Sequence, residues 1–143
     1  MNRLATILVT CLLFSALSGI AGAVDAPVVL THHLTSSSQG ATTLGLDFTI
    51  HLENPGNSTL TNLDLTFIPF PPFTARGLVL RLDKVGPHQG ADLALHLETR
   101  AQNGADQIQK MPLRFIGKYV AADGTPCEFP VTSYPQEVRN ANQ

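Results

Sequence analysis

Apolar and polar residues alternate along most of this chain with a period of two. The clearest run places Leu44, Leu46, Phe48, Ile50 and Leu52 at even positions, with Gly45, Asp47, Thr49 and His51 between them. Successive side chains of a strand point to opposite faces, so the run predicts a strand with one buried and one wet face. Asn54-Pro-Gly-Asn57 ends it with turn chemistry. The rhythm returns at Leu63, Leu65 and Phe67, at Leu78, Leu80 and Leu82, and at Leu93, Leu95 and Leu97. It returns again at Met111, Leu113 and Phe115, and at Cys127, Phe129 and Val131. Val28 to Leu34 predicts a further, first strand. Pro71-Pro72, Gly86-Pro87, Gly90, Asn103-Gly104 and Asp123-Gly124 punctuate the runs. This reading finds no amphipathic helix and no internal repeat.

Short strands at this spacing are those of an all-β sandwich or barrel, and about seven of them favour a single Ig-like antiparallel β-sandwich. Pro112 and Pro130 lack a ladder donor, so they are expected at edges, strand ends or bulges. By the same phase, Phe48 belongs to the core beside Leu46 and Ile50.

The first residues are of another kind. Arg3 precedes an apolar stretch, Leu4 to Leu17, too short for a comfortable transmembrane helix. Ala21-Gly-Ala23 is a small-residue cleavage site, so residues 1–23 read as a cleaved signal peptide. Leu8-Val-Thr-Cys11 departs from a lipidation signal at Thr10. The expected layout is therefore a leader, an Ig-like domain over residues 24–135 and a polar tail over 136–143. It implies an exported chain, periplasmic or extracellular, with no transmembrane anchor once mature.

Charge and cysteine content narrow the classes further. With Arg3 gone, eight basic side chains face eleven acidic ones, a net of −3. That balance gives no electrostatic case for nucleic acid. Cys11 leaves with the leader and Cys127 remains, so the mature chain has no partner for an intramolecular disulfide. About 120 residues are enough to bury a core without one. Cys127 shares its phase with Phe129 and Val131 and reads as a small buried hydrophobe.

The stretch Phe48-Thr-Ile-His-Leu-Glu-Asn-Pro-Gly-Asn-Ser-Thr-Leu-Thr-Asn-Leu-Asp-Leu resembles the opening hairpin of bacterial cell-surface Ig-like domains. Leu82-Asp-Lys-Val-Gly-Pro-His-Gln-Gly-Ala-Asp-Leu-Ala-Leu is similar to their later loop and strand. The group so resembled is CARDB, the cell-adhesion-related domains of bacteria. The resemblance implies an Ig-like fold and an adhesive or assembly role, and it transfers no active-site residues. Clathrin-adaptor appendage sandwiches share the rhythm, but a secretory leader argues against a cytosolic adaptor.

Candidate chemistry is sparse. No H-E-x-x-H, nucleophile elbow or paired-acid signature is present, and Ser36-Ser-Ser38 reads as a polar loop. The chain is therefore read as non-enzymatic and without a cofactor. His51 and His96 fall on the outward sets of the second and fifth strands. If those strands pair with Phe48 facing Leu95, His96 lies opposite Asp47 and His51 opposite Asp92. With His33 added, His33, His51, His96 and Asp47 become a candidate metal surface, the alternative function being periplasmic metal binding. Polar cross-strand pairing on a wet face is the simpler account. Pro69-Phe-Pro-Pro-Phe73 is the most distinctive loop, and Phe70 and Phe73 are candidate anchors for an envelope or cell-surface protein. Packing of both rings over the open end of the sandwich is the competing account.

Overall fold

A computed structural model of the chain describes residues 26–73, 77–100 and 105–136. The expected leader, with Cys11, and the tail beyond Gln136 lie outside the described residues. The fold is all-β. Its strands are β1 (Val29–Gln39), β2 (Thr43–Glu53), β3 (Leu60–Phe67), β4 (Val79–Val85), β5 (Gly90–Arg100), β6 (Leu113–Val120) and β7 (Pro126–Pro135). One helical turn, α1 (Ala105–Ile108), stands between β5 and β6.

The strands form one mostly closed seven-stranded sheet in the order β4-β3-β6-β7-β1-β2-β5. Neighbours are antiparallel except β1 and β7, which run parallel over Leu30–His32 and Ser133–Pro135. The inward residues of every strand meet in one core. Phe48, Phe67, Phe115, Phe129, Leu46, Ile50, Leu63, Leu65 and Leu97 are fully enclosed. Each such side chain contributes roughly 1.5–3 kcal/mol by leaving water. Phe48 takes the inward place that its phase predicts.

His32 is one of four buried polar side chains among the described residues, with Asn54, Thr99 and Ser133. It is 0% exposed and sits edge-on to the Phe48 ring at 5.7 Å. Its Nδ1 lies 2.8 Å from Ser133 Oγ, a side-chain tie beside the short parallel ladder that joins β1 to β7. Burial holds its pKa below the ordinary histidine value, against a smaller upward pull from the Met111 carbonyl. Burial thus favours the neutral ring in the folded protein.

Several sequence expectations shift. Ser36, Ser37 and Ser38 are not a loop: β1 runs on through them and pairs with β2 beyond a bulge between Leu34 and Ser36. Polar residues on both faces hid that extension. Leu78, Leu80 and Leu82 are only half-buried, because β4 is an end strand whose one ladder partner among the described residues is β3. Met111 precedes β6 and is 36% exposed. Cys127 is half-buried near the start of β7, while Phe129 and Val131 are core. Pro130 sits mid-strand, but β7 meets β1 only from Ser133 onward, so its missing donor costs no ladder bond on that side. Gln136 is held in place, its backbone N–H donating to the His32 carbonyl at 2.8 Å. No helix among the described residues is long and apolar enough to cross a membrane.

Candidate functional site

β2 and β5 pair without a break over eleven residues, from Thr43 opposite Arg100 to Glu53 opposite Gly90. Phe48 faces Leu95, and both rows of leucines, Ile50 and Phe48 point into the core. The alternate residues therefore stand on the outer face as five consecutive rows. They are Gly45 with Glu98, Asp47 with His96, Thr49 with Ala94, His51 with Asp92, and Glu53 with Gly90.

Two clusters occupy the ends of this face. His51 Nδ1–H donates to Asp92 Oδ1 at 2.6 Å, and Nε2–H reaches Glu53 Oε1 at 3.2 Å. His96 Nδ1–H donates to Asp47 Oδ1 at 2.6 Å, with Nε2 a longer 3.5 Å from Glu98 Oε1. Ser36 Oγ–H donates to the other Asp47 oxygen at 2.7 Å. A neutral imidazole has only one N–H, so a ring with a carboxylate at each nitrogen is best satisfied as the cation. Accordingly the Asp92 hydrogen bond raises the pKa of His51, with Glu53 adding to it, and Asp47 does the same for His96, with Glu98. His96 and Ser36 together hold the Asp47 carboxyl below its usual range.

Glycines make room for both rings. A Cβ on Gly45 would come within 3.3 Å of His96 Cε1, and a Cβ on Gly90 within 3.3 Å of His51 Cε1. Each imidazole thus lies over the glycine opposite its own glutamate. The two clusters are copies of one another. Gly45-x-Asp47-x-x-x-His51-x-Glu53 is repeated as Gly90-x-Asp92-x-x-x-His96-x-Glu98. Antiparallel pairing about the Thr49–Ala94 row sets the Asp of each segment against the His of the other. Sequence reading found both histidines and both aspartates but missed Gly45, Gly90, Glu53 and Glu98. The signal was this nine-residue repeat.

The remaining expected residues go elsewhere. The His51 and His96 rows are four residues apart, roughly 13 Å along a strand. Their rings extend away from each other, over glycines at opposite ends of the face. Two ligands of one Zn²⁺ each sit about 2.0–2.1 Å from it, so the pair as arranged does not share an ion. His33 stands opposite Thr49 and joins neither cluster by a hydrogen bond among the described residues. It lines a separate open hollow of about 550 Å³ with Gln109, Lys110 and Gln136. Among the described residues no three His, Cys, Asp or Glu side chains are gathered to hold a metal ion.

Phe73 is 2% exposed and belongs to the core. Phe70 is half-buried and bridges Phe67 and Phe73 by edge-to-face contacts at 6.1 and 5.3 Å. Both rings thus pack over the core beside the cis Pro71-Pro72 bond, and neither stands out as a free anchor.

The outer face of β2 and β5 therefore carries two clusters ordered by their own hydrogen bonds, each an imidazole between two carboxylates that favour its protonated form. No known family model matches the chain, and no curated protein matches it.

Proposed function

We propose that this is a non-enzymatic, exported Ig-like domain that mediates protein–protein interaction, adhesion or assembly at the bacterial envelope. The observation that carries the reading is the doubled Gly-Asp-His-Glu cluster on the outer face of β2 and β5. A face whose polar groups are ordered before anything binds suits a second macromolecular surface. It loses little side-chain freedom on docking, and its charges set register and choice of partner.

The strand order supports the Ig-like part. Among the described residues it falls into β1-β2-β5 and β7-β6-β3-β4, with the three-residue parallel ladder of β1 and β7 as the one ladder between them. A division into three and four strands is what a seven-stranded Ig-like sandwich would contain, with β4 beside β3 as the fourth strand of the larger layer. The leader pattern of residues 1–23 supports export.

In-cell photo-crosslinking tests the interaction. A benzoyl-phenylalanine at Thr49, in the middle of the face, should capture an envelope protein or a second copy of the chain. The same probe at Lys118, on β6, should not. Capture from Thr49 should fall sharply when Asp47 and Asp92 are both changed to Asn. Equal capture from both positions, or capture that ignores the two aspartates, would contradict the reading.

A further inference from the structure

The repeat has a geometrical consequence at the free edge of the sheet. β5 is an end strand, and among the described residues its ladder partner is β2 alone. Over its eleven residues it contains no proline, and its pairing with β2 shows no bulge. Prolines and bulges are two of the devices that keep an edge strand from adding a neighbour, and β5 has neither; its charged side chains, Asp92, Glu98 and Arg100, oppose a neighbour only where like charges meet. On the side away from β2 it has no ladder partner among the described residues, although β4 comes near it, and the backbone groups of such an edge suit strand addition.

The complement that β5 accepts is already visible in β2. Reading along the outer face, Gly90, Asp92, Ala94, His96 and Glu98 receive Glu53, His51, Thr49, Asp47 and Gly45. A second β5, antiparallel and centred on Ala94, would offer Glu98, His96, Ala94, Asp92 and Gly90 in the same order. Only the middle residue changes, from Thr to Ala. The inner face agrees as well. Ala91, Leu93, Leu95 and Leu97 now face Leu52, Ile50, Phe48 and Leu46. A second copy would set Leu97, Leu95, Leu93 and Ala91 there, covering Leu93, which is only half-buried.

We propose that a second copy of the chain docks edge to edge through β5, in an antiparallel, two-fold arrangement centred on Ala94 that continues this face across the joint. The joint is isologous, so each protomer supplies the same strand to the other. Asp92 of one protomer then stands across from His96 of the other, twice. The sign of charge alternates from Asp47 to His96, across to Asp92 and on to His51. Asp92 Oδ2, which makes no hydrogen bond among the described residues, is free to face the new cation. This inference rests on the interaction reading above and names its partner.

Sedimentation and light scattering of the purified protein over about 5–200 µM decide the matter, combined with two substitutions at the centre of the joint. Ala94 is exposed, and its present neighbour across the ladder is the uncharged Thr49, so Ala94→Lys leaves the folded monomer largely undisturbed. In a dimer it sets two ammonium groups side by side on the axis. The protein should show a concentration-dependent dimer, and Ala94→Lys should weaken it at least tenfold with the melting temperature nearly unchanged. Ala94→Cys in a Cys127→Ser background should form a disulfide-linked dimer on mild oxidation, whereas Lys118→Cys should not. A monomer throughout this range, or a dimer that survives Ala94→Lys and fails to link at position 94, would overturn the proposal. A monomer that still captures a different envelope protein from Thr49 would overturn this inference alone. A monomer with no such capture would overturn the interaction reading as well.

Discussion

Gly117 of β6 lies opposite Phe129 of β7, and the Phe129 ring rests on the space a side chain would fill. A Cβ built at Gly117 would meet ring atoms at 2.2, 2.5 and 2.7 Å, where ordinary contact begins at 3.4 Å. Gly117→Ala therefore forces the ring back by about 1.2 Å. The ring has little room to retreat, because Phe129 is 2% exposed and Tyr119 packs against it at 5.9 Å. Overpacking of this kind costs typically ~1–3 kcal/mol, and the depth of the overlap points to the upper end. Alanine returns ~0.5–1 kcal/mol by restricting the unfolded chain. The net expectation is a loss of about 2 kcal/mol, read in urea as a midpoint lowered by about 1 M. In a thermal scan the melting temperature should fall by roughly 8 °C. Phe129→Leu in the same molecule should recover part of the loss, since the two sites share one volume and their effects do not add. An unchanged or raised midpoint for Gly117→Ala would mean that Phe129 does not cover Gly117. The register of β6 and β7 would then be wrong, because a one-residue slip exchanges the faces of a whole strand.

Other outcomes follow from the same structure. Phe73→Ala should cost about 3–5 kcal/mol in a denaturation experiment, and Phe70→Ala clearly less, since Phe73 is enclosed and Phe70 half-buried; equal, negligible effects would restore the loop as an exposed anchor. The raised pKa values of His51 and His96 give stability that is complete below the unfolded value of about 6.5 and is lost as pH rises through the folded values. The neutral, buried His32 acts oppositely, favouring the folded state above about 6.5 and opposing it as the unfolded chain takes up a proton below that. In urea titrations His32→Gln should therefore flatten the loss of stability on acidification from pH 7 to 5. Removing both surface histidines should steepen it. N-terminal sequencing of the exported protein should begin at Val24; a retained Met1 would contradict the export reading.

Much of the candidate site was legible because the β2 and β5 patterns are strict. Leucines at 93, 95 and 97 and apolar residues at 44 through 52 leave one phase for each strand, and facing Phe48 with Leu95 then pairs His51 with Asp92 and His96 with Asp47. Glu53 and Glu98 share a strand face with His51 and His96, and the nine-residue repeat marks them, but the lean of each ring over Gly90 or Gly45 is a feature of the assembled ladder. His32 stands at an even position between Leu30 and Leu34, so its burial was available from period alone, but its partner Ser133 lies 101 residues away. The serines of β1 carry no apolar phase, and the chain continues as a strand there because β2 supplies the ladder. Phe70 and Phe73 lie in a turn, where periodicity says nothing about which way a ring points.

Nitrogen-detected NMR of the imidazole rings tests most directly whether the outer face is built from fixed ion pairs. His51 and His96 should each show both ring nitrogens protonated at pH 6.5, with midpoints above the ordinary histidine value. Both midpoints should fall in Asp92→Asn and Asp47→Asn respectively, and added Zn²⁺ should leave the two rings unchanged at pH 6.5. Midpoints at or below about 6.5, or a Zn²⁺-bound nitrogen on either ring, would contradict the account.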